Sequence, residues 1–189
     1  MEHFKDESSL REVIEKKVTL HRGKVVQYEE LTVTTPGGNS ALRDIIRHPG
    51  GCVIVPVDDQ GYTYLVRQYR VAFEKMMLEF PAGKLDSGEE PSVCAARELM
   101  EETGFRAKSL RRVTSIYSSP GFCDEEIHVY IANGLTAGAT DPDEDEFIEV
   151  IRYKPEEIIA MVMKGEIQDA KTVVGAMILE RTLQGKNVI

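Results

Sequence analysis

The chain has no apolar run approaching the roughly 20 residues needed to span a bilayer, and its opening stretch MEHFKDESSLRE lacks the apolar centre of a secretory leader. No membrane partner and a cytoplasmic location are therefore expected. Cysteine is scarce: Cys52, Cys94 and Cys123 are odd in number and far apart, with no Cys-x-x-Cys or Cys/His spacing, so neither a disulfide framework nor a zinc site is expected. His3, His21, His48 and His128 are scattered without pattern. Positive charge is not in excess either. A formal net charge of -9 argues against a nucleic acid as partner, because phosphates would be repelled. Internal repeats, low-complexity tracts and linkers are also missing.

What remains is ordinary globular composition, 42% hydrophobic and 29% charged over 189 residues, enough for one well-buried domain with a small extra layer. The negative charge is concentrated. Residues 83–105 hold six acids against two bases, and residues 141–149 hold six acids and no base, leaving the rest near +1. Such concentration fits a local cation site.

Period-two alternation from Val13 to Leu20 predicts a strand, followed by strands at 25–33 and Ala41 to Arg47 with turns at His21-Arg22-Gly23-Lys24 and Thr35-Pro36-Gly37-Gly38-Asn39. These three form an N-terminal antiparallel sheet region, residues 1–49. In residues 50–189, strands are expected at 52–57 and 62–68 (paired as a hairpin), 76–80, 110–117, 127–132 and 147–153. Helices are expected at 155–163 and 169–183. The fold class is α+β: a mixed sheet flanked by helices, plus the small N-terminal sheet.

The stretch GKLDSGEEPSVCAARELMEETGF, residues 83–105, stands apart. Pro91 suits a first helical turn and Gly104 a C-terminal cap, which brackets a helix of about three turns. At 100° per residue, Val93, Ala95, Ala96, Leu99 and Met100 share one side, while Arg97, Glu98, Glu101 and Glu102 share the other. Like charges at i, i+3 and i+4 destabilise a helix by a few tenths of a kcal/mol per pair. One Arg97 guanidinium cannot neutralise three carboxylates, so a divalent cation is implied, and oxygen ligands favour Mg²⁺ or Mn²⁺. Glu98 and Glu102, one turn and about 40° apart, can reach one metal cluster. Glu101 could also ligate the metal, but with Arg97 at i-4 expected on the side away from that pair it is assigned the role of a supporting ligand or orienting residue.

Gly83, Glu89, Arg97, Glu98, Leu99, Glu101, Glu102, Gly104 and Phe105 fall at the nine defined positions of the Nudix box, so the chain resembles the Nudix hydrolases, which cleave a nucleoside diphosphate linked to another moiety. The resemblance implies that Glu98 and Glu102 are the main metal ligands with the Ala82 carbonyl, and that Glu89 pairs with Arg97 to hold the loop on the helix. Gly83 and Gly104 are expected to serve through backbone freedom.

A second acidic stretch, Asp141 to Glu146, becomes the candidate source of a general base beside a complete box. DEDEFIEV (143–150) resembles the catalytic loop of ADP-ribose pyrophosphatases, with Glu146 as the best match and Glu144 next. Pro120, 15 residues past Phe105, and the segments RHPGG, VRQYR and LEFPAGK resemble the same subgroup. Arg70 is expected to grip a substrate phosphate bidentately, with Arg67 as a second candidate. Phe4, Tyr28 and Arg43 are candidates for adenine recognition, and the resemblance implies a homodimer exchanging its N-terminal sheet. The reading is metal-dependent hydrolysis of ADP-ribose to AMP and ribose 5-phosphate. Hydrolysis of GDP-mannose or ADP-glucose is the alternative. A non-hydrolysing nucleotide sensor is the rival of another class, and the intact glutamate set argues against it.

Overall fold

A computed structural model describes residues 9–139 and 147–185. Within it the chain divides into two compact units. Of the described residues, the first comprises 9–49 together with Ser119–Glu125. Its strands β1 (Val13–Arg22), β2 (Gln27–Thr34) and β3 (Ser40–Arg47) form an antiparallel sheet in the order β1-β2-β3. On β2 the alternation buries Glu29, Leu31 and Val33. Buried Glu29 is compensated by Arg47, whose Nε donates to its Oε2 at 2.8 Å. The segment Ser119–Glu125, which sequence pattern places with the larger part, instead lies alongside β3. Ile46 N–H donates to Phe122 O at 2.7 Å, and Asp124 N–H to Ile46 O at 3.2 Å. Asp124 also accepts from Arg47 Nη1 at 2.9 Å and His48 N–H at 2.8 Å.

The second unit holds β4 (Gly51–Val57), β5 (Thr63–Arg70), β6 (Lys75–Glu79), β7 (Ala82–Lys84), α1 (Pro91–Thr103), β8 (Phe105–Tyr117), β9 (Glu126–Ala137), β10 (Glu149–Tyr153), α2 (Pro155–Met163) and α3 (Ala170–Leu183). The sheet runs β10-β5-β4-β9-β8, with β4 and β9 parallel. Because β4 is buried on both faces, its alternation fills two cores. Val53 and Val55 join Leu65, Phe80, Val129, Ile131, Ile158 and Leu179 on the α2/α3 side, while Cys52 and Ile54 join Cys94, Ala95, Leu99 and Tyr130 under α1.

The expected hairpin of β4 and β5 is reduced to a single register pair, Val57 with Thr63. Past that point β5 takes β6 as its partner, and β4 takes β7, a strand that sequence pattern left as loop. The strands β8 and β9 also extend further than expected, because Gly104 hands the chain straight to Phe105 and the two pair through to Ala137.

Candidate active site

The parting of β4 and β5 delivers the chain to the box. The end of β6 leads through buried Phe80 to Pro81, whose carbonyl accepts from Ile54 N–H at 2.8 Å. Next, β7 lies antiparallel on Gly51 to Val53, and Leu85 N–H donates to Gly50 O at 3.0 Å. Pro91 opens α1, and Gly104, with φ 72°, closes it in the left-handed conformation as its N–H reaches Met100 O at 2.8 Å. Both ends of the helix are thereby fixed, which gives its side chains a rigid mount.

The faces of α1 differ from the sequence expectation. Val93 is 56% exposed and Ala96 is exposed, whereas Cys94, Ala95, Glu98, Leu99, Glu102 and Thr103 form the buried stripe. Two glutamates thus lie on the packed side, Glu98 at 8% and Glu102 at 5% exposure. Their surroundings explain how they are tolerated there. Ala82 N–H donates to Glu102 Oε2 at 3.0 Å. Glu98 lies against Gly83 so closely that a Cβ there would stand 1.9 Å from its Cδ and Oε1. Gly83 is therefore required for close approach; it is not among the glycines with positive φ, and this corrects the expectation of backbone freedom.

Arg97 is also placed differently. Rather than lying away from Glu98 and Glu102, its Nη1 donates to Glu98 Oε1 at 2.7 Å and to Glu101 Oε2 at 2.9 Å. Its Nε and Nη2 take Glu89 bidentately at 3.0 Å each, and Nη2 also reaches Lys84 O at 3.2 Å. The planar fork with five donors lets one guanidinium serve neighbours one and four residues on while still gripping the loop. Arg97 holds the Glu89 carboxyl below the usual carboxylate range, and Glu89 in turn raises the arginine.

The donor set fits a hard divalent cation. Two buried carboxylates on one rigid helix face a strand whose glycine leaves a cradle for one of them, and the three carboxylates around Arg97 outnumber its single charge. Among the described residues no three His, Cys, Asp or Glu side chains close a cage. Residues 47–174, more than half of the chain, match the NUDIX domain.

The chain belongs to the Nudix family.

It is similar to the ADP-ribose pyrophosphatase of Bacillus subtilis, 42% identical over 87% of this chain and 90% of that protein. The methanol dehydrogenase activator of Bacillus methanolicus is 39% identical over 84% and 86% respectively. The crystal structure of an ADP compounds hydrolase, 22% identical, shares the Nudix fold with a TM-score of 0.84 over 97% of this chain and 100% of that one. Nudix hydrolases depend on divalent metal, and this chain is a Nudix pyrophosphohydrolase.

Outside the box, this Nudix hydrolase places its candidate residues unequally. Arg70 ends β5 and forks onto Glu79, its Nε and Nη2 donating at 2.7 and 2.8 Å, and it lies within electrostatic range of Glu102. Glu79 and its second cation, Lys171 of α3, are residues the sequence reading missed. A charged residue inside the apolar run Met76 to Phe80 was the available signal, since a buried carboxylate must be compensated. Arg67 instead makes an exposed cross-strand pair with Glu149, Nη2 to Oε2 2.5 Å, worth little at the surface. In the other unit, Arg43 forks onto Glu12 through Nε (3.1 Å) and Nη2, and Tyr28 donates to Asp44 at 2.7 Å. Exposed Pro120 occupies a tight turn closed by Phe122 N–H to Ser119 O at 3.0 Å. Phe4, Glu144 and Glu146 lie outside the described residues.

Although burial opposes it, Arg70 and Lys171 hold the Glu79 carboxyl down to about 2. A depressed folded-state value contributes stability present above the unfolded carboxylate range and lost as pH falls toward 2. The shift from 4.5 corresponds to about 3 kcal/mol. Urea midpoints measured from pH 6 to pH 2.5 should therefore fall less steeply in Glu79→Gln than in the wild type, and parallel slopes would refute this assignment.

Proposed function

We propose that this Nudix hydrolase cleaves the pyrophosphate of ADP-ribose, giving AMP and ribose 5-phosphate. A water oxygen bonds to phosphorus, the bridging P–O bond breaks, and the water's proton passes to a carboxylate. The observation that carries the reaction type is the buried pair Glu98 and Glu102, the former seated against Gly83 and the latter tied to Ala82 N–H. The likeness to an ADP-ribose pyrophosphatase over most of both chains supports the substrate. Glu98, Glu102 and the Ala82 carbonyl are assigned to hold Mg²⁺, with Mn²⁺ able to replace it. When bound, the ion neutralises developing charge and orients the phosphates.

Arg97 fixes Glu98 and Glu101 from behind, and Glu89 fixes Arg97. Arg70 offers its guanidinium to a phosphate. Glu146, with Glu144 as the alternative, takes the proton, and Glu146→Gln should lower kcat at least about a hundredfold with KM little changed. Near-wild-type turnover would move the base elsewhere. We further assign a homodimer in the cytoplasm, supported by the exposed apolar side chains Leu10, Val13, Ile14 and Leu20 of the smaller unit, each more than half exposed. Among the described residues no helix is long and apolar enough to cross a membrane.

The deciding experiment is a panel of ADP-ribose, ADP-glucose and GDP-mannose assayed across a Mg²⁺ and Mn²⁺ titration. ADP-ribose should be turned over with the highest kcat/KM. Greater turnover of GDP-mannose would reject the substrate, and ADP-ribose binding without AMP release would make the protein a sensor.

A further inference from the structure

The last helix supplies a residue for which the box gives no reason. Lys171 lies in the first turn of α3, yet its Nζ donates to Glu79 Oε2 at 2.5 Å and to Asp169 Oδ1 at 2.8 Å, with its side chain only 14% exposed. Asp169 Oδ2 accepts from Thr172 N–H at 2.9 Å and from Thr172 Oγ1 at 2.6 Å. The Thr172 hydroxyl oxygen accepts from Phe80 N–H at 2.9 Å, and Phe80 follows Glu79 in the chain. These contacts close a ring from Glu79 through Lys171, Asp169 and Thr172 back to Phe80. It fixes the carboxylate on which Arg70 rests, immediately before the chain reaches Ala82.

Charge gives the ring a consequence beyond packing. Glu79 is 1% exposed, and a one-to-one pair with Arg70 would be neutral, its guanidinium field largely cancelled by the buried carboxylate. Lys171 adds a second positive charge and Asp169, which its Nζ also reaches, a second negative one, so Arg70, Glu79, Lys171 and Asp169 together are neutral. Without Lys171 the same cluster would sum to one net negative charge, with the carboxylates of Glu79 and Asp169 both acting on Arg70. Arg70 uses Nε and Nη2 on Glu79, and its Nη1 has no hydrogen-bond partner among the described residues. A guanidinium held on one edge and open on another is prepared for an anionic oxygen.

We propose that Lys171 is a positioning residue for substrate binding: through Glu79 it holds Arg70 in place and keeps the cluster from turning net negative toward the substrate's diphosphate. This rests on the reading of the substrate as a nucleoside diphosphate sugar. The bland alternative is a salt bridge that merely ties α3 to β6, and the two differ in what charge and geometry do separately. Lys171→Gln keeps a hydrogen-bond donor but removes the charge, whereas Lys171→Arg keeps the charge.

The test measures ADP-ribose kinetics, melting temperature, and binding of ADP with Ca²⁺ in place of the activating metal, for wild type and both variants. Lys171→Gln should raise KM and the ADP Kd about tenfold while kcat stays within about twofold, and Lys171→Arg should return both to near wild type. Wild-type KM and ADP affinity in Lys171→Gln would overturn the proposal. So would equal loss in both variants accompanied by lowered melting temperatures, because packing would then be the cause. A wild type that fails to hydrolyse ADP-ribose would sink the proposed function alone, and ADP binding would still decide the role of Lys171.

Discussion

Glu102→Gln should lower kcat/KM for ADP-ribose by about a thousandfold or more, while the melting temperature measured without metal stays within a few degrees of wild type. The amide oxygen of glutamine can accept the Ala82 N–H as Glu102 Oε2 does, so the bond between α1 and β7 survives. Two buried carboxylates one turn apart repel when no cation is present, and removing one relieves a few tenths of a kcal/mol. Loss of function should thus come without loss of fold. A metal-free midpoint lowered by more than about 5 °C, equivalent to over ~1 kcal/mol in a chain of this size, would make Glu102 a structural residue instead.

Gly83→Ala should have a comparably large effect by a different route. The new methyl would overlap the Glu98 carboxylate, with Cδ and Oε1 at 1.9 Å and Oε2 at 2.3 Å. The atoms it meets are the far end of a flexible side chain, and the φ of Gly83 is not positive, so the backbone accepts alanine without strain. Glu98 yields by changing rotamer, at about 1 kcal/mol, and its carboxylate leaves the position shared with Arg97 Nη1. Activity should drop at least about a hundredfold and the metal concentration for half-maximal activity should rise, with circular dichroism unchanged. Turnover and metal dependence equal to wild type would show that Glu98 has no fixed place in the reaction.

Legibility of the sequence was uneven for physical reasons. Pro91 and Gly104 bracketed α1 because helix ends depend on local backbone chemistry that single residues carry. The orientation of that helix was not local. Projection of apolar residues put Val93 inside and the glutamates outside, whereas contact with β7 and the gap left by Gly83 decided which stripe was buried. The pair Glu89 and Arg97 was implied by the resemblance to the Nudix box, but the contact of Arg97 with Glu98 depends on a long side chain folding along its own helix. Arg70 was expected ahead of Arg67, although as letters in one strand the two carry no physical difference. Only the neighbours that folding supplies, buried Glu79 for one and exposed Glu149 for the other, separate them. The tie of Lys171 to Glu79 had no local signal, because the two are 92 residues apart.

The pairing of Ser119–Glu125 with β3 bears on how the molecule is made. The smaller unit is assembled from two pieces of chain separated by most of the larger one. During synthesis, β3 would emerge and wait while some seventy more residues were added before Phe122 and Asp124 could meet Ile46, Arg47 and His48, so completing this unit requires closure of a long loop. The N-terminal segment is consequently not a detachable module. Excised as residues 1–49 it would lose the carbonyl that receives Ile46 N–H and the carboxylate that receives Arg47, and circular permutation or domain transplantation would have to carry both pieces together.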